Sequence, residues 1–303
     1  MESEDLQRTI RRLNRLDVEQ ANFEDIVSMI RKAIAGIRVS VSLTPSTELY
    51  FRARVCQSYK PKRVTELAAP PAELVEGFQR CNPPKKSMFY SASKRITALL
   101  ECGVEVGDKV YLGQWVNQKP APISRVLSMD DAPDSHAGFT VNEHIVHTYF
   151  DTIFTRPVHE TFSNVYKLTA AVTEVLTTGY TPETEQDIRD DQTIGIRYPS
   201  IVDTTGSYNT AFHAEFATER FVLHHAMELK VTELSGKKLT VEIIDNAIEF
   251  LDGEIQWLGD SVAIPDMIED RKRLPFINTG RSWVIPVRET VSSPEEIEIL
   301  LNE

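Results

Sequence analysis

The chain has 303 residues, and its 45 acidic side chains outnumber its 33 lysines and arginines, which gives a formal net charge of −12. This acidity argues against a nucleic-acid-binding surface and against an anchor to an anionic membrane, because both need clustered positive charge. The apolar fraction of 41% and the charged fraction of 26% are ordinary for a soluble globular protein.

Targeting signals and cysteine usage indicate the compartment. No apolar run approaches the ~18 residues of a membrane span. The acidic start, residues 1–5, lacks the basic-then-apolar layout of a signal peptide. Cys56, Cys81 and Cys102 are far apart and form no Cys-x-x-Cys pair, which favours a reducing compartment. We therefore expect a cytoplasmic protein.

The first 40 residues predict two helices. Leu6, Ile10 and Leu13 recur at helical spacing, and a second apolar stripe extends from Phe23 to Ile37. Asn22 suits the N-cap of the second helix. The first helix is rich in arginine, which we interpret as a solvated face, with a partner-binding hairpin as the alternative.

A period of two predicts a strand at residues 49–55, in which Arg52 and Arg54 share the face opposite the apolar one. The proline-rich stretch 56–88 predicts irregular structure with a short helix around 72–79. The expected elements after it are a strand at 88–90, a helix through Leu100 capped by Ser91 or Ser93 and ended by Gly103, and a strand at 109–116.

The second half predicts alternating helices and strands. We expect polar loops at 130–140 and 187–192, helices at 143–154 and 160–178, and strands at 194–198, between 210 and 234, and at 283–287. We also expect a hairpin at 239–258 with its turn at Asp252-Gly253, and a last helix opened by Ser293-Pro294-Glu295-Glu296.

The order of these elements predicts an α+β fold with a mostly antiparallel sheet, because regular βαβ alternation is missing. The sequence contains neither Gly-x-Gly-x-x-Gly nor Gly-x-x-x-x-Gly-Lys, the two glycine-rich motifs that bind phosphates. We divide the chain into a helical extension at 1–40, a catalytic domain at 41–234, and a β-containing extension at 235–303 packed on the same domain.

Metal and hydrolase sites are weakly indicated. His144-x-x-His147 and the adjacent His224 and His225 have no third ligand at a suggestive spacing, so we expect no metal site. The chain has no Gly-x-Ser-x-Gly elbow for Ser-His-Asp chemistry. A pair of carboxylates for glycoside hydrolysis remains an alternative, because the sequence alone does not show which two acids lie 5 to 10 Å apart.

Six short segments stand out in a fixed order. They are Tyr50-Phe51-Arg52-Ala53-Arg54, Gln79-Arg80-Cys81-Asn82-Pro83-Pro84, Phe89-Tyr90-Ser91-Ala92-Ser93, Thr97-Ala98-Leu99-Leu100-Glu101, Gly195-Ile196-Arg197-Tyr198-Pro199-Ser200 and Asn209-Thr210-Ala211-Phe212. The ordered set resembles the RES family over about residues 48–233. Gln79 stands where the family has a glycine, and both Arg52 and Arg54 fit the family arginine, of which we favour Arg52.

The resemblance implies a compact domain similar to ADP-ribosyltransferases and a toxin that consumes NAD. NAD is then the substrate, and no further cofactor is expected. Cleavage of the nicotinamide–ribose bond passes through an oxocarbenium-like transition state, as in glycoside hydrolysis. Many family members pair with an antitoxin that blocks the site, so an inhibitory protein is an expected partner. A homodimer is the common default.

The residue roles follow from that chemistry. Arg52 suits the phosphates because a guanidinium binds their oxygens in pairs, Tyr90 suits the nicotinamide ring, and Glu101 suits the ribose and its developing cation. Ser200 completes the expected catalytic set. The expected substrate-binding set is Arg54, Tyr59, Arg80, Asn82 and Asn209.

Two other functions remain as alternatives. One is an ADP-ribosyltransferase that acts on a protein, which would use the same pocket beside a surface for its target. The other is a non-enzymatic interaction protein with a vestigial pocket, in which the two extensions do the work.

Overall fold

The structure is a computed structural model that describes residues 3–46, 48–128, 138–158, 160–177, 193–236, 238–259, 273–280 and 282–284. One large sheet organises these residues. Its strands are β1 Ser40–Thr44, β2 Leu49–Val55, β3 Met88–Ala92, β4 Lys109–Asn117, β5 Ala121–Arg125, β6 Gly195–Pro199, β7 Tyr208–His213, β8 Phe221–Ser235, β9 Lys238–Ala247, β12 Arg273–Asn278 and β13 Trp283–Val284. A separate two-stranded hairpin is formed by β10 Glu249–Leu251 and β11 Glu254–Gln256.

The large sheet has the order β1-β5-β6-β7-β3-β2-β4-β8-β9-β12-β13. All its described pairings are antiparallel except the short parallel contact between β5 and β6. Antiparallel neighbours need no helical crossover, which explains why the chain shows no βαβ rhythm. The predicted α+β class with a mostly antiparallel sheet is confirmed at this level.

Six helices lie among the described residues: α1 Ser3–Asn14, α2 Phe23–Ala33, α3 Arg95–Glu101, α4 Val141–Phe154, α5 Lys167–Thr177 and α6 Ala214–Arg220. Buried residues of α1, α2, α4 and α5 form one core with Met88, Ile196 and Ala211 of the sheet. The α3 helix covers the adjacent part of the same face, where Leu99 packs in a core with Leu112 and Leu229. None of the described helices has the length and apolarity that crossing a bilayer requires.

The opposite face of the sheet carries an aromatic core. Tyr50, Phe89 and Phe212 alternate with residues of the helical face and pack with Phe221. The irregular segment 56–72 covers this core through Leu67, which is buried there. The segment belongs to no strand of the sheet, so its position depends on other contacts.

Several predicted elements are confirmed. The helices of the first 40 residues are present, and Asn22 Oδ1 caps α2 by accepting from Glu24 N at 2.8 Å. The strands at 49–55 and 109–116 are β2 and β4. Gly103 follows α3 with a φ of 63° and suits a left-handed helix end.

The predicted serine cap of α3 is wrong. Lys94 occupies the N-cap and makes no side-chain cap. Ser91 Oγ instead donates to Thr210 O at 3.0 Å, and Ser93 Oγ accepts from Tyr208 N at 3.2 Å. Both hydroxyls are therefore used to hold β3 and its continuation to β7.

Other boundaries differ from the prediction. The helix around 72–79 is only a single 3-10 turn at Ala72–Leu74, and the strands expected between 210 and 234 are interrupted by α6. The turn at Asp252-Gly253 is confirmed, but its hairpin spans 249–256, because 238–247 is β9 and pairs with β8. The predicted helix at 160–178 begins as a 3-10 segment, and α5 starts at Lys167.

The remaining predictions fall partly or wholly outside the described residues. Of the strand at 283–287, the structure describes β13 alone. The loop at 130–140 is described only from residue 138, and the loop at 187–192 and the helix opened by Ser293 lie outside the described ranges.

Candidate active site

A groove opens where two central strands of the sheet separate. β2 pairs with β4 along its whole length but with β3 only at Phe51↔Ala92. Beyond this pair the second half of β2 and the residues before β3 form the two sides of a groove of about 1290 Å³. We call it the split-strand groove. Its walls are residues 52–55 of β2, the segment 65–72, residues 85–87, Cys102, and parts of α5 and α6.

Arg52 lies in the gap between the separated strands. Its Nη1 donates to Tyr90 O at 2.9 Å and its Nε donates to Ala68 O at 3.2 Å. The guanidinium also lies 5.6 Å from the centre of the Phe89 ring. Burial lowers the pKa of Arg52 to about 10, so it stays charged at neutral pH. Among the described residues no carboxylate pairs with it, and the charge is available to an anion.

Arg54 and Tyr59 also line the groove. Arg54 is exposed, and its Nη1 donates to Glu66 O at 2.7 Å. The Tyr59 ring is 43% exposed at the groove wall. Arg52 and Arg54 thus share one face of β2, as predicted. Carbonyls of the 65–72 wall orient both guanidinium groups.

Glu101 forms a second cluster with two residues from distant parts of the chain. Its Oε1 accepts from Ser200 Oγ at 2.7 Å and from Asn209 Nδ2 at 2.5 Å. Ser200 and Asn209 are buried, whereas Glu101 is exposed at the end of α3. We call these three residues the carboxylate cluster. No described residue bonds to the second oxygen of Glu101, so a ligand hydroxyl has access to it.

Asp203 fixes the loop that presents Ser200. Its carboxylate accepts from Thr97 Oγ1 at 2.6 Å, from Ser207 Oγ at 2.7 Å and from Thr205 Oγ1 at 2.6 Å. The backbone N–H of Asp203 in turn donates to Ser200 Oγ at 3.1 Å. Burial alone would raise the pKa of Asp203, but these hydrogen bonds outweigh it and lower the pKa below its usual value. The loop is therefore ordered by a buried anion.

Tyr90, Asn82 and Arg80 form a third group, on the helical face. The Tyr90 hydroxyl donates to Asn82 Oδ1 at 2.6 Å and accepts from Cys81 N at 2.8 Å. Burial raises the pKa of Tyr90 well above its usual value. Arg80 donates to Phe154 O, with its guanidinium 5.1 Å from the Tyr166 ring centre. In this structure Tyr90 and Asn82 bond to each other and to backbone groups of residues 81 and 86, while Arg80 bonds to the last residue of α4.

The structure divides the nine predicted site residues among three groups and does not place all nine in the split-strand groove. Arg52, Arg54 and Tyr59 line the split-strand groove, and Cys102, which follows Glu101, lines it too. The hydrogen bond from Arg52 Nη1 to the Tyr90 carbonyl joins the groove to the third group. The described hydrogen bonds and ion pairs include none between the Arg52 side chain and the carboxylate cluster. The role of each residue stays a prediction.

Sequence reasoning missed an ion pair near the site. Glu48 Oε1 accepts from Arg197 Nη2 at 2.5 Å and from Tyr208 Oη at 2.9 Å, while its Oε2 accepts from Tyr50 Oη at 2.7 Å. This network joins the residue before β2 to β6 and β7. Arg197 lies inside the Gly195–Ser200 motif, which was the available signal, but Glu48 stands alone in sequence.

The described histidines make packing contacts. Among the described residues, no group of three or more His, Cys, Asp or Glu side chains is arranged to hold a metal ion. His147 Nε2 is 3.0 Å from Arg38 O, and its ring stacks on Phe139 with centroids 4.8 Å apart. These contacts indicate a packing role for His147.

Comparison with known proteins finds no matching family model and no matching curated protein. The likeness to the RES family therefore depends on the ordered motifs alone. The function that it implies is a proposal.

Proposed function

We propose that the chain is an NAD-degrading enzyme of the RES type, which cleaves the nicotinamide–ribose bond with water or phosphate as the acceptor. The observation that carries the proposal is the carboxylate cluster. Glu101 is held on one oxygen by Ser200 and Asn209, no described residue bonds to its other oxygen, and it lies one residue from the wall of the split-strand groove. A carboxylate fixed in this way suits the ribose hydroxyls and the positive charge that develops as the bond breaks.

Among the described residues Arg52 has no anionic partner, which supports a phosphorylated substrate. Holding a desolvated cation without an anionic partner is costly, so such a group in a groove commonly marks an anion site. Two of its N–H groups already bond to Ala68 O and Tyr90 O, which orients the remaining ones. A guanidinium oriented in this way suits a diphosphate, whose oxygens it binds in pairs.

The size of the groove suits a dinucleotide. Small-molecule sites usually occupy roughly 300–1,000 Å³, and the split-strand groove is larger, at about 1290 Å³. Tyr59 offers an exposed ring against which a base or nicotinamide can stack. A bulky extended substrate therefore suits the groove better than a small metabolite does.

The test is to incubate the purified protein with NAD and follow the products by proton NMR, with and without phosphate. Free nicotinamide with ADP-ribose identifies hydrolysis, and a phosphate-dependent product identifies phosphorolysis. The Glu101→Gln variant serves as the matched inactive protein. Two results together would overturn the proposal. NAD would stay intact after long incubation with the wild-type protein, and ADP-ribose would not bind at the same concentrations. In a second assay the protein is incubated with labelled NAD and cell lysate. Label on a lysate protein would instead identify a transferase.

A further inference from the structure

The hairpin β10–β11 packs against the wall of the split-strand groove. Residues 56–72, which form part of that wall, have no strand of their own in the large sheet. The hairpin belongs to the 235–303 extension, beyond the part of the chain that resembles the RES family. It contacts the segment through backbone hydrogen bonds, a side-chain hydrogen bond and apolar packing, and these contacts explain how an irregular segment is held.

Backbone hydrogen bonds join the two directly. Val64 N donates to Gly253 O at 2.9 Å, and Ile255 N donates to Lys62 O at 2.8 Å. Trp257, just after β11, adds a side-chain bond from Nε1 to Pro61 O at 2.7 Å. Ile255 and Trp257 also pack in the same apolar core as Val64, Ala68 and Ala69.

Lys60 adds an ionic anchor at the start of the segment. Its Nζ lies 2.5 Å from Asp245 Oδ2 and 2.7 Å from Glu228 Oε2, both of them buried carboxylates of β9 and β8. The same ammonium lies 4.5 Å from the centre of the Trp257 ring. Because a buried carboxylate without a partner is costly, this contact resists displacement of the segment. Lys60 is the neighbour of Tyr59, which lines the groove.

The other side of the same segment holds the groove arginines. Ala68 O accepts from Arg52 Nε at 3.2 Å and Glu66 O accepts from Arg54 Nη1 at 2.7 Å. A contact chain therefore leads from the hairpin through residues 61–68 to the two guanidinium groups. Movement of the segment would displace both carbonyls and disorder both arginines.

We propose that the β10–β11 hairpin, with Trp257 and Lys60, is a positioning device that holds the segment 56–72, which includes the 65–72 wall, and so orients Arg52 and Arg54 toward the diphosphate of the substrate. These residues touch no substrate and act through the wall. The substrate part of this inference rests on the proposed function. The mechanical part concerns the wall itself and is measurable without any turnover.

The test uses Trp257→Phe, which removes the N–H bond to Pro61 O and keeps an aromatic ring beside Lys60. Amide hydrogen exchange of residues 56–72 is compared in the wild-type protein, this variant and Leu251→Ala. Leu251 is 63% exposed on the same hairpin and serves as the matched control. We expect faster exchange in 56–72 for Trp257→Phe alone. A second variant, Lys60→Arg, keeps the positive charge and is expected to retain most of the wild-type protection.

Kinetics then test the consequence for the site. Loss of one neutral hydrogen bond changes an equilibrium by roughly twofold to tenfold, so we expect KM for NAD to rise by about that factor in Trp257→Phe, with kcat nearly unchanged. Unaltered exchange in 56–72 would overturn the positioning role. Faster exchange with an unaltered KM would show that the wall does not orient the arginines. A wild-type protein that leaves NAD intact and binds no ADP-ribose would overturn the proposed function instead, while the exchange data would still decide whether the hairpin holds the wall.

Discussion

Ser200 Oγ donates to Glu101 Oε1 at 2.7 Å, although 99 residues separate the two in sequence. Asn209 Nδ2 donates to the same oxygen. The helix end that carries Glu101 and the loop that carries Ser200 are thus joined through one carboxylate oxygen. No residue in the described part of the chain bonds to the other oxygen, which motivates the first prediction.

We expect Glu101→Gln to lower NAD turnover by at least about 100-fold, the usual loss when one electrostatic group is removed from a transition state. The amide keeps the shape and still accepts from Ser200, so the fold should persist by circular dichroism. Glu105→Gln, at an exposed acid nearby, is the control and should retain activity. Equal turnover in wild type and Glu101→Gln would remove Glu101 from the mechanism.

Arg52→Lys tests the anion site. Lysine keeps the positive charge but loses the planar fork that contacts Ala68 O and Tyr90 O together. We expect ADP-ribose affinity, measured by calorimetry, to fall by about tenfold or more. Arg31→Lys, at an exposed position of α2, is the control. Unchanged affinity would place the diphosphate elsewhere.

Asp203→Asn tests the loop. The hydrogen bonds that lower the pKa of Asp203 stabilise the folded state above the ordinary Asp value near 3.8 and are lost as the pH falls below it. We expect the variant to lose about 1–3 kcal/mol of unfolding free energy at pH 7. Urea denaturation at pH 7 and pH 3 should show this difference shrinking at the lower pH. A difference that is the same at both values would contradict the assignment.

His225 predicts a separate pH effect. Burial, with Arg95 and His224 nearby, lowers the pKa of His225 to about 4. Between its ordinary value of 6.5 and about 4 the unfolded chain binds a proton that the folded chain does not, so stability falls as the pH drops. Relative to His225→Phe, wild type should lose about 2 kcal/mol from pH 7 to pH 5 by urea denaturation. Parallel pH profiles for the two proteins would refute the low pKa.

Gly195→Ala tests the close approach of β6 to β7. A Cβ on Gly195 would lie 2.5 Å from Ala211 O and 3.0 Å from Cδ1 of Phe212. Overpacking of this kind costs about 1–3 kcal/mol, and thermal unfolding should show a lower Tm. Gly236→Ala, where a Cβ would meet no atom within 4 Å, is the control and should leave Tm nearly unchanged.

Local patterns predicted the elements whose signal lies within one segment. Strand β2 alternates cleanly and has the predicted bounds, and the Asn22 cap follows from one side chain and one N–H. By contrast, α6 is only seven residues long between two strands, too short to show a helical period. The caps expected from Ser91 or Ser93 failed because β7 engages both hydroxyls, and no local pattern reveals a tertiary partner.

The site divides in the same way. The ordered motifs named Glu101, Ser200 and Asn209 as site residues without indicating that they touch, and the structure brings their side chains together. Glu48 was missed because its partners Arg197 and Tyr208 lie 149 and 160 residues away. Asp203 was missed because its role depends on hydrogen bonds from hydroxyls of α3 and of its own loop. Catalytic motifs in the sequence do not show such bonds.

Strand β8 extends from Phe221 to Ser235 and so crosses the boundary drawn at residue 234. Its pairing with β9 spans Ala226 to Ser235. A chain cut after Leu234 would leave a long strand with a row of bare N–H and C=O groups, which is a template for aggregation. The extension is therefore not a removable appendage. A shorter version of this protein, without the extension, would therefore need another way to protect that sheet edge. It would have to shorten β8, place charged residues on it, or cover it with another segment.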